Sequence, residues 1–137
     1  MATTPNSIIT PQTPKSAQAN TAAAQATFPP TTAPSNTVLL VTAGANGARV
    51  TRIRATPQTT ITAAHVQLYR SQDAGTTKYF VQGVTMAAAT VNTTTAAIPV
   101  DFGYSDDNPL IMLAAERLYV ANSLATSTNY DADWSDY

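Results

Sequence analysis

Chemistry in this chain has few possible carriers. His65 is the only histidine, there is no cysteine, and seven cations and eight acids make up its charge. His65 stands beside the strand-like run Val66–Ser71 with no serine or cysteine nucleophile motif near it, so a structural role is expected. Asp101, Asp106 and Asp107, with Ser105 and Asn108, supply oxygen donors of the kind that bind Ca²⁺. The same residue types are what a tight loop requires, and the turn reading is the stronger. Asp131, Asp133 and Asp136 read as part of a last strand or a solvated acidic tail before they read as a metal site. No carboxylate pair recommends itself as a glycosidase dyad. Gly44-Ala45-Asn46-Gly47 lacks the Lys-Ser/Thr that follows a phosphate-binding loop. The expectation is a protein with no catalytic residue, no cofactor and no metal. Tyr69, Tyr79, Tyr104, Tyr119, Tyr130, Trp134 and Tyr137 could line a sugar-binding face, although one aromatic per strand is also ordinary cross-strand packing.

The elements that must position these residues follow from composition. A chain of 137 residues is one domain by length and can bury a real core without disulfides or metals. Charged residues are only 11%, against roughly 25% in an ordinary globular domain. A polar but weakly charged surface suits close packing among neighbours. With a net charge of −1 there is no basic excess to grip nucleic acid. No apolar run is long enough for a membrane helix, and the start lacks the features of a signal peptide.

Charge is segregated along the chain. Lys15, Arg49, Arg52, Arg54 and Arg70 all precede residue 73, and every acid follows residue 72. Two explanations stand: the halves neighbour each other in one fold, or Arg49, Arg52 and Arg54 meet Asp131, Asp133 and Asp136 across subunits.

Residues 1–35 hold six of the nine prolines and a single charge, Lys15. Ser16–Ala26 is rich in Ala and Gln and could coil briefly into a helix, but it has no wide apolar face. Ordering the backbone costs about 1–2 kcal/mol per residue. Ile8, Ile9 and Phe28, its three large apolar residues, return only about 1.5–3 kcal/mol each. The segment reads as an extended assembly arm ordered by a partner, with those three side chains as anchors, and residues 36–137 as the body.

From Asn36 onward, short β-rich runs alternate with turn signals about every ten residues, the spacing of sandwiches and barrels. Thr37–Thr42 leads to an Asn46-Gly47 reversal. In Arg49–Thr56, Arg52 and Arg54 share one face and Thr51, Ile53 and Ala55 the other. Thr59–Ser71 contains a strand with Val66 and Leu68 inward and Gln67 and Tyr69 outward. Gln72–Thr76 is a hairpin loop, Lys78–Thr85 returns, and Met86–Ala97 is ambiguous. Asp101–Leu124 admits two readings. Asn108 and Pro109 could start a helix, or Leu110–Leu113 and Arg117–Leu124 could be strands of a hairpin turning at Ala114–Glu116. Context favours the hairpin. The expected fold is all-β, a small jelly-roll-like β-sandwich preceded by an extended N-terminal arm.

The segments Val38–Gly44 with Asn46-Gly47, Val66–Lys78, Asp101–Leu110 and Arg117–Val120 resemble small virion proteins of tailed bacteriophages. The likeness spans about residues 37–125 and carries no catalytic signature. It implies a structural, non-enzymatic capsid decoration (cement) protein that binds the major capsid protein and copies of itself, with a homotrimer as the expected form. It also implies a place in the virion after assembly in the host cytoplasm. A head–tail connector, tail or fibre component, or a carbohydrate-binding virion module, is the alternative.

Overall fold

The computed structural model describes residues 13–25 and 31–137. The expected anchors Ile8, Ile9 and Phe28 lie outside the described residues. The described residues form nine strands, with burial alternating most clearly in the third and the last: β1 Thr13–Thr21, β2 Val38–Thr42, β3 Ala48–Pro57, β4 Ala64–Ser71, β5 Tyr79–Met86, β6 Val100–Asp101, β7 Leu110–Met112, β8 Arg117–Asn122 and β9 Thr128–Asp136.

These strands make two antiparallel sheets. One has the order β1-β9-β3-β6, with β7 also pairing β3, and the other the order β2-β8-β4-β5. Successive strands pass from sheet to sheet, except at the β4–β5 hairpin and between β6 and β7, and the arrangement is that of a jelly roll. The expected fold is therefore present.

Alternation explains which side chains meet. In β9, Tyr130, Ala132 and Trp134 are buried, while Asn129, Asp131 and Asp133 face outward. In β3, Val50 and Ile53 are both buried although three residues apart, because the register shifts at Thr51. These side chains pack against Leu40, Val41, Val66, Leu68, Leu118 and Val120 of the other sheet. The Tyr130 hydroxyl donates to the Ala121 carbonyl at 2.8 Å, so a buried polar group is satisfied while it ties β9 to β8. At the expected Asn46-Gly47 reversal, Gly47 has φ +92 and a Cβ there would lie 2.5 Å from the Met112 carbonyl oxygen. Only glycine fits.

Three expectations change. Thr13–Thr21 is a strand rather than a helix, and one of its edges is taken up within its own chain: it pairs residue by residue with β9, from Thr13↔Asp136 to Thr21↔Thr128. A boundary at residue 35 therefore cuts through the first sheet. Main-chain hydrogen bonds to a neighbouring strand need few large side chains, and here the chain's own last strand supplies them. Next, Leu110–Met112 and Arg117–Asn122 are both strands, but not a hairpin. The first pairs β3 and the second pairs β2 and β4, so the turn at Ala115 (φ 57) crosses between sheets. Two-residue periodicity identifies strands without naming their partners. Lastly, Gln67 and Tyr69 do point away from the core side of β4, yet both are fully buried.

Candidate assembly surface

The outer face of the first sheet is where the segregated charges meet. Because β3 and β9 are antiparallel neighbours, Arg52 stands opposite Asp133 and Arg54 opposite Asp131. Arg52 Nη2 lies 2.7 Å from Asp133 Oδ2 and 3.2 Å from Asp131 Oδ2, and Arg54 Nη2 lies 3.5 Å from Asp131 Oδ2. Lys15 on β1 pairs with Asp136, whose other oxygen accepts the Gly44 N–H at 3.0 Å. Arg49 lies 4.0 Å from Asp106. The six charges weighed as possible inter-subunit contacts thus have partners within one chain, as in the explanation that the two halves neighbour each other, since the topology brings the basic first half against the acidic last strand. Gln18, Arg54, Thr56 and Asp131 border an open depression of about 390 Å³.

The outer face of the second sheet is aromatic. Leu39, Tyr119, Tyr69 and Phe80 stand in register across β2, β8, β4 and β5. Tyr69 and Phe80 meet edge to face at 5.7 Å, and Lys78 Nζ sits 4.9 Å from the Tyr119 ring centre. The Tyr69 hydroxyl donates to Gln67 Oε1 at 2.5 Å, and Gln67 Nε2 lies 3.3 Å from His65 Nδ1. The imidazole occupies space that glycine leaves: a Cβ on Gly83 would be 2.2 Å from His65 Nε2. Burial pushes the Tyr69 hydroxyl pKa up. Of the seven aromatics that could have lined a sugar face, Tyr69, Tyr119, Tyr130 and Trp134 are buried. Tyr130 and Trp134 belong to the core between the sheets, so the seven do not share a surface.

The acidic clusters are occupied with loop and strand geometry. Asp101 Oδ1 accepts the Gly103 N–H at 2.6 Å, and Ser105 and Asn108 exchange backbone hydrogen bonds at 3.2 Å. Among the described residues no group of three His, Cys, Asp or Glu side chains is placed to hold a metal ion. In the β4–β5 loop, Asp73 accepts the Thr77 N–H and the Ser71 hydroxyl, each at 2.8 Å, and these bonds lower its pKa to about 2.

One ionic group was not anticipated. Glu116 is fully buried and receives Arg70 in a two-pronged contact, Nε to Oε1 at 2.7 Å and Nη2 to Oε2 at 2.6 Å. Glu116 Oε2 also accepts the Leu113 N–H at 2.8 Å, and Arg70 Nη2 donates to the Ile111 carbonyl at 3.0 Å. The pair therefore fastens the turn that crosses from β7 to β8. Burial pushes the Glu116 carboxyl up, but the hydrogen bonds from Arg70 and Leu113 and the Arg70 charge outweigh it, and its pKa is lowered. The signal was present in parity: Arg70 continues the inward series Val66, Leu68, and Glu116 precedes the inward Leu118, Val120.

Among the described residues, strand edges and scattered apolar side chains are available for contact, with Leu39, Ile98, Ile111, Leu113, Tyr79 and Phe80 the exposed large hydrophobics. Compared with family models, with curated proteins and with solved structures, the chain matches none.

Proposed function

We propose that this chain is a non-enzymatic structural protein of a bacteriophage virion, a capsid decoration (cement) protein that binds the major capsid protein. The observation that carries the reading is the jelly-roll strand order, an architecture that capsid proteins use. Low charge adds to it, because a surface with few charges loses little solvation when covered. Structural contacts at the candidate residues support the reading: His65 lies against Gly83 and Gln67, and Asp131 and Asp133 pair with Arg52. Residues 1–12, with Ile8 and Ile9, supply the attachment to the particle. Because β1 belongs to the sheet, the informative deletion removes residues 2–12 and spares it. Purified heads lacking the protein are mixed with full-length or truncated chain, and binding and heat release of the genome are measured. Full-length protein binds and raises the release temperature, while the truncated form folds and does neither. Equal binding by both forms places attachment elsewhere. Imaging that finds the protein only on the tail replaces the cement role with a connector, tail or fibre role, and retention on immobilised glycan points to the carbohydrate alternative.

A further inference from the structure

We propose that the edge of β1 that no described strand pairs, from Ser16 to Asn20, pairs with the same edge of a second copy of this chain. The two strands run antiparallel about a twofold axis at Gln18, so two first sheets become one continuous sheet. This does not depend on the virion reading.

The inference comes from comparing strand edges. An unpaired edge is a template for another strand, and proteins blunt it by shortness, bulges, prolines or charges. Among the described strands, β6 spans only Val100–Asp101 and β7 only Leu110–Met112. Edge strand β2 is short and its register shifts between Leu39 and Val41. Edge strand β5 is interrupted at Val81, where the pairing steps from Gln82 to Phe80. β1 has none of these devices beyond its first residues. Its register with β9 is unbroken from Thr13 to Thr21, and Pro14 and Lys15 are confined to one end. From Ser16 to Asn20 there is no proline, charge or bulge, and the side chains are exposed or half-buried.

The sequence of that edge favours its own copy as the occupant. About Gln18, Ala17 faces Ala19, Ser16 faces Asn20 and Lys15 faces Thr21. Small residues therefore meet small ones, and amides and hydroxyls meet each other. The two lysines never stand opposite, and each is already engaged by Asp136 of its own chain. Both Pro14 residues fall outside the paired core. The contact uses the same patch on both subunits, as a twofold interface requires.

Full-length protein is examined by sedimentation velocity over a concentration series, beside Gln18→Lys, Gln18→Glu and Gln18→Cys variants. Gln18 lies on the exposed outer face opposite Asp131, so Gln18→Glu also sets two carboxylates side by side within one chain, and circular dichroism and melting check that each variant is folded before its association is compared. Wild-type protein dimerises. Like charges placed directly opposite weaken self-association about five-fold in Gln18→Lys and in Gln18→Glu. An equimolar mixture of those two variants restores it. Because the natural chain has no cysteine, Gln18→Cys forms a disulfide-linked dimer on mild oxidation, and a Gln58→Cys control does not. A protein that stays monomeric at every concentration overturns the proposal. So does a trimer or other oligomer that Gln18→Lys leaves unchanged.

Discussion

Two groups of arginines and carboxylates in this small protein sit in opposite surroundings. On the outer face of the first sheet, Arg52 and Arg54 share Asp131 and Asp133, with about 40% of the Arg52 side chain open to solvent. Between β4 and the β7–β8 crossing, Arg70 meets a Glu116 carboxylate with no exposure at all. The first group is a ladder across neighbouring strands that already have main-chain hydrogen bonds. The second holds a turn between sheets that has only isolated main-chain bonds, Ala115 N–H to the Gly44 carbonyl at 3.0 Å and Glu116 N–H to the Leu113 carbonyl at 3.2 Å, in place of a strand ladder. Exposed pairs contribute about 0–1 kcal/mol, whereas removing one partner of a buried pair costs about 3–5 kcal/mol. The charges that stand out in the sequence as a pattern are thus the less important to stability, and the two that stand alone matter more.

Three experiments test whether the two groups differ in this way. Glu116→Ala carries the largest expected effect. It leaves the Leu113 N–H and part of the Arg70 guanidinium without acceptors, and urea denaturation is expected to show a loss of about 3 kcal/mol. A loss below about 1 kcal/mol would mean that the turn is held without the pair.

Acidification comes next. Glu116 and Asp73 both have lowered pKa values in the folded protein. Their contribution is complete above the ordinary carboxylate range and disappears as pH falls through the folded-state values, which for Asp73 extends to about pH 2. Melting temperature should therefore fall on acidification, and less steeply in Glu116→Gln, which has already lost its share. Parallel curves for the two proteins would remove Glu116 from the explanation.

Arg52→Ala should do least, shifting stability by no more than about 1 kcal/mol, because Arg54 remains beside Asp131 and water solvates Asp133. A loss as large as that of Glu116→Ala would erase the distinction between the two groups.

The strands of the body were readable because their alternation is local. Tyr130-Asp131-Ala132-Asp133-Trp134 declares a half-buried strand by itself, and Asn46-Gly47 declares a reversal. The Arg70–Glu116 pair was legible only as two charges at inward-facing positions. Nothing local says that residues so far apart in the chain meet. The outward side chains Gln67 and Tyr69 show the same limit, since parity gives the face of a strand but not whether that face is covered.

β1 marks the boundary most clearly. By composition Ser16–Ala26 would present no wide apolar face as a helix, and in the structure Thr13–Thr21 is a strand whose residues are mostly exposed. Whether such a segment lies loose or joins a sheet depends on an acceptor elsewhere, and β9 supplies one at the far end of the chain. Local pattern was enough to favour an all-β chain and to mark its turns and the segregation of its charges. Strand order, the crossing at Ala115, the pairing of basic with acidic residues inside one subunit and the place of β1 were decided by tertiary structure. Hydrogen-bonded edges and buried ion pairs are properties of two segments together, and neither segment carries them alone.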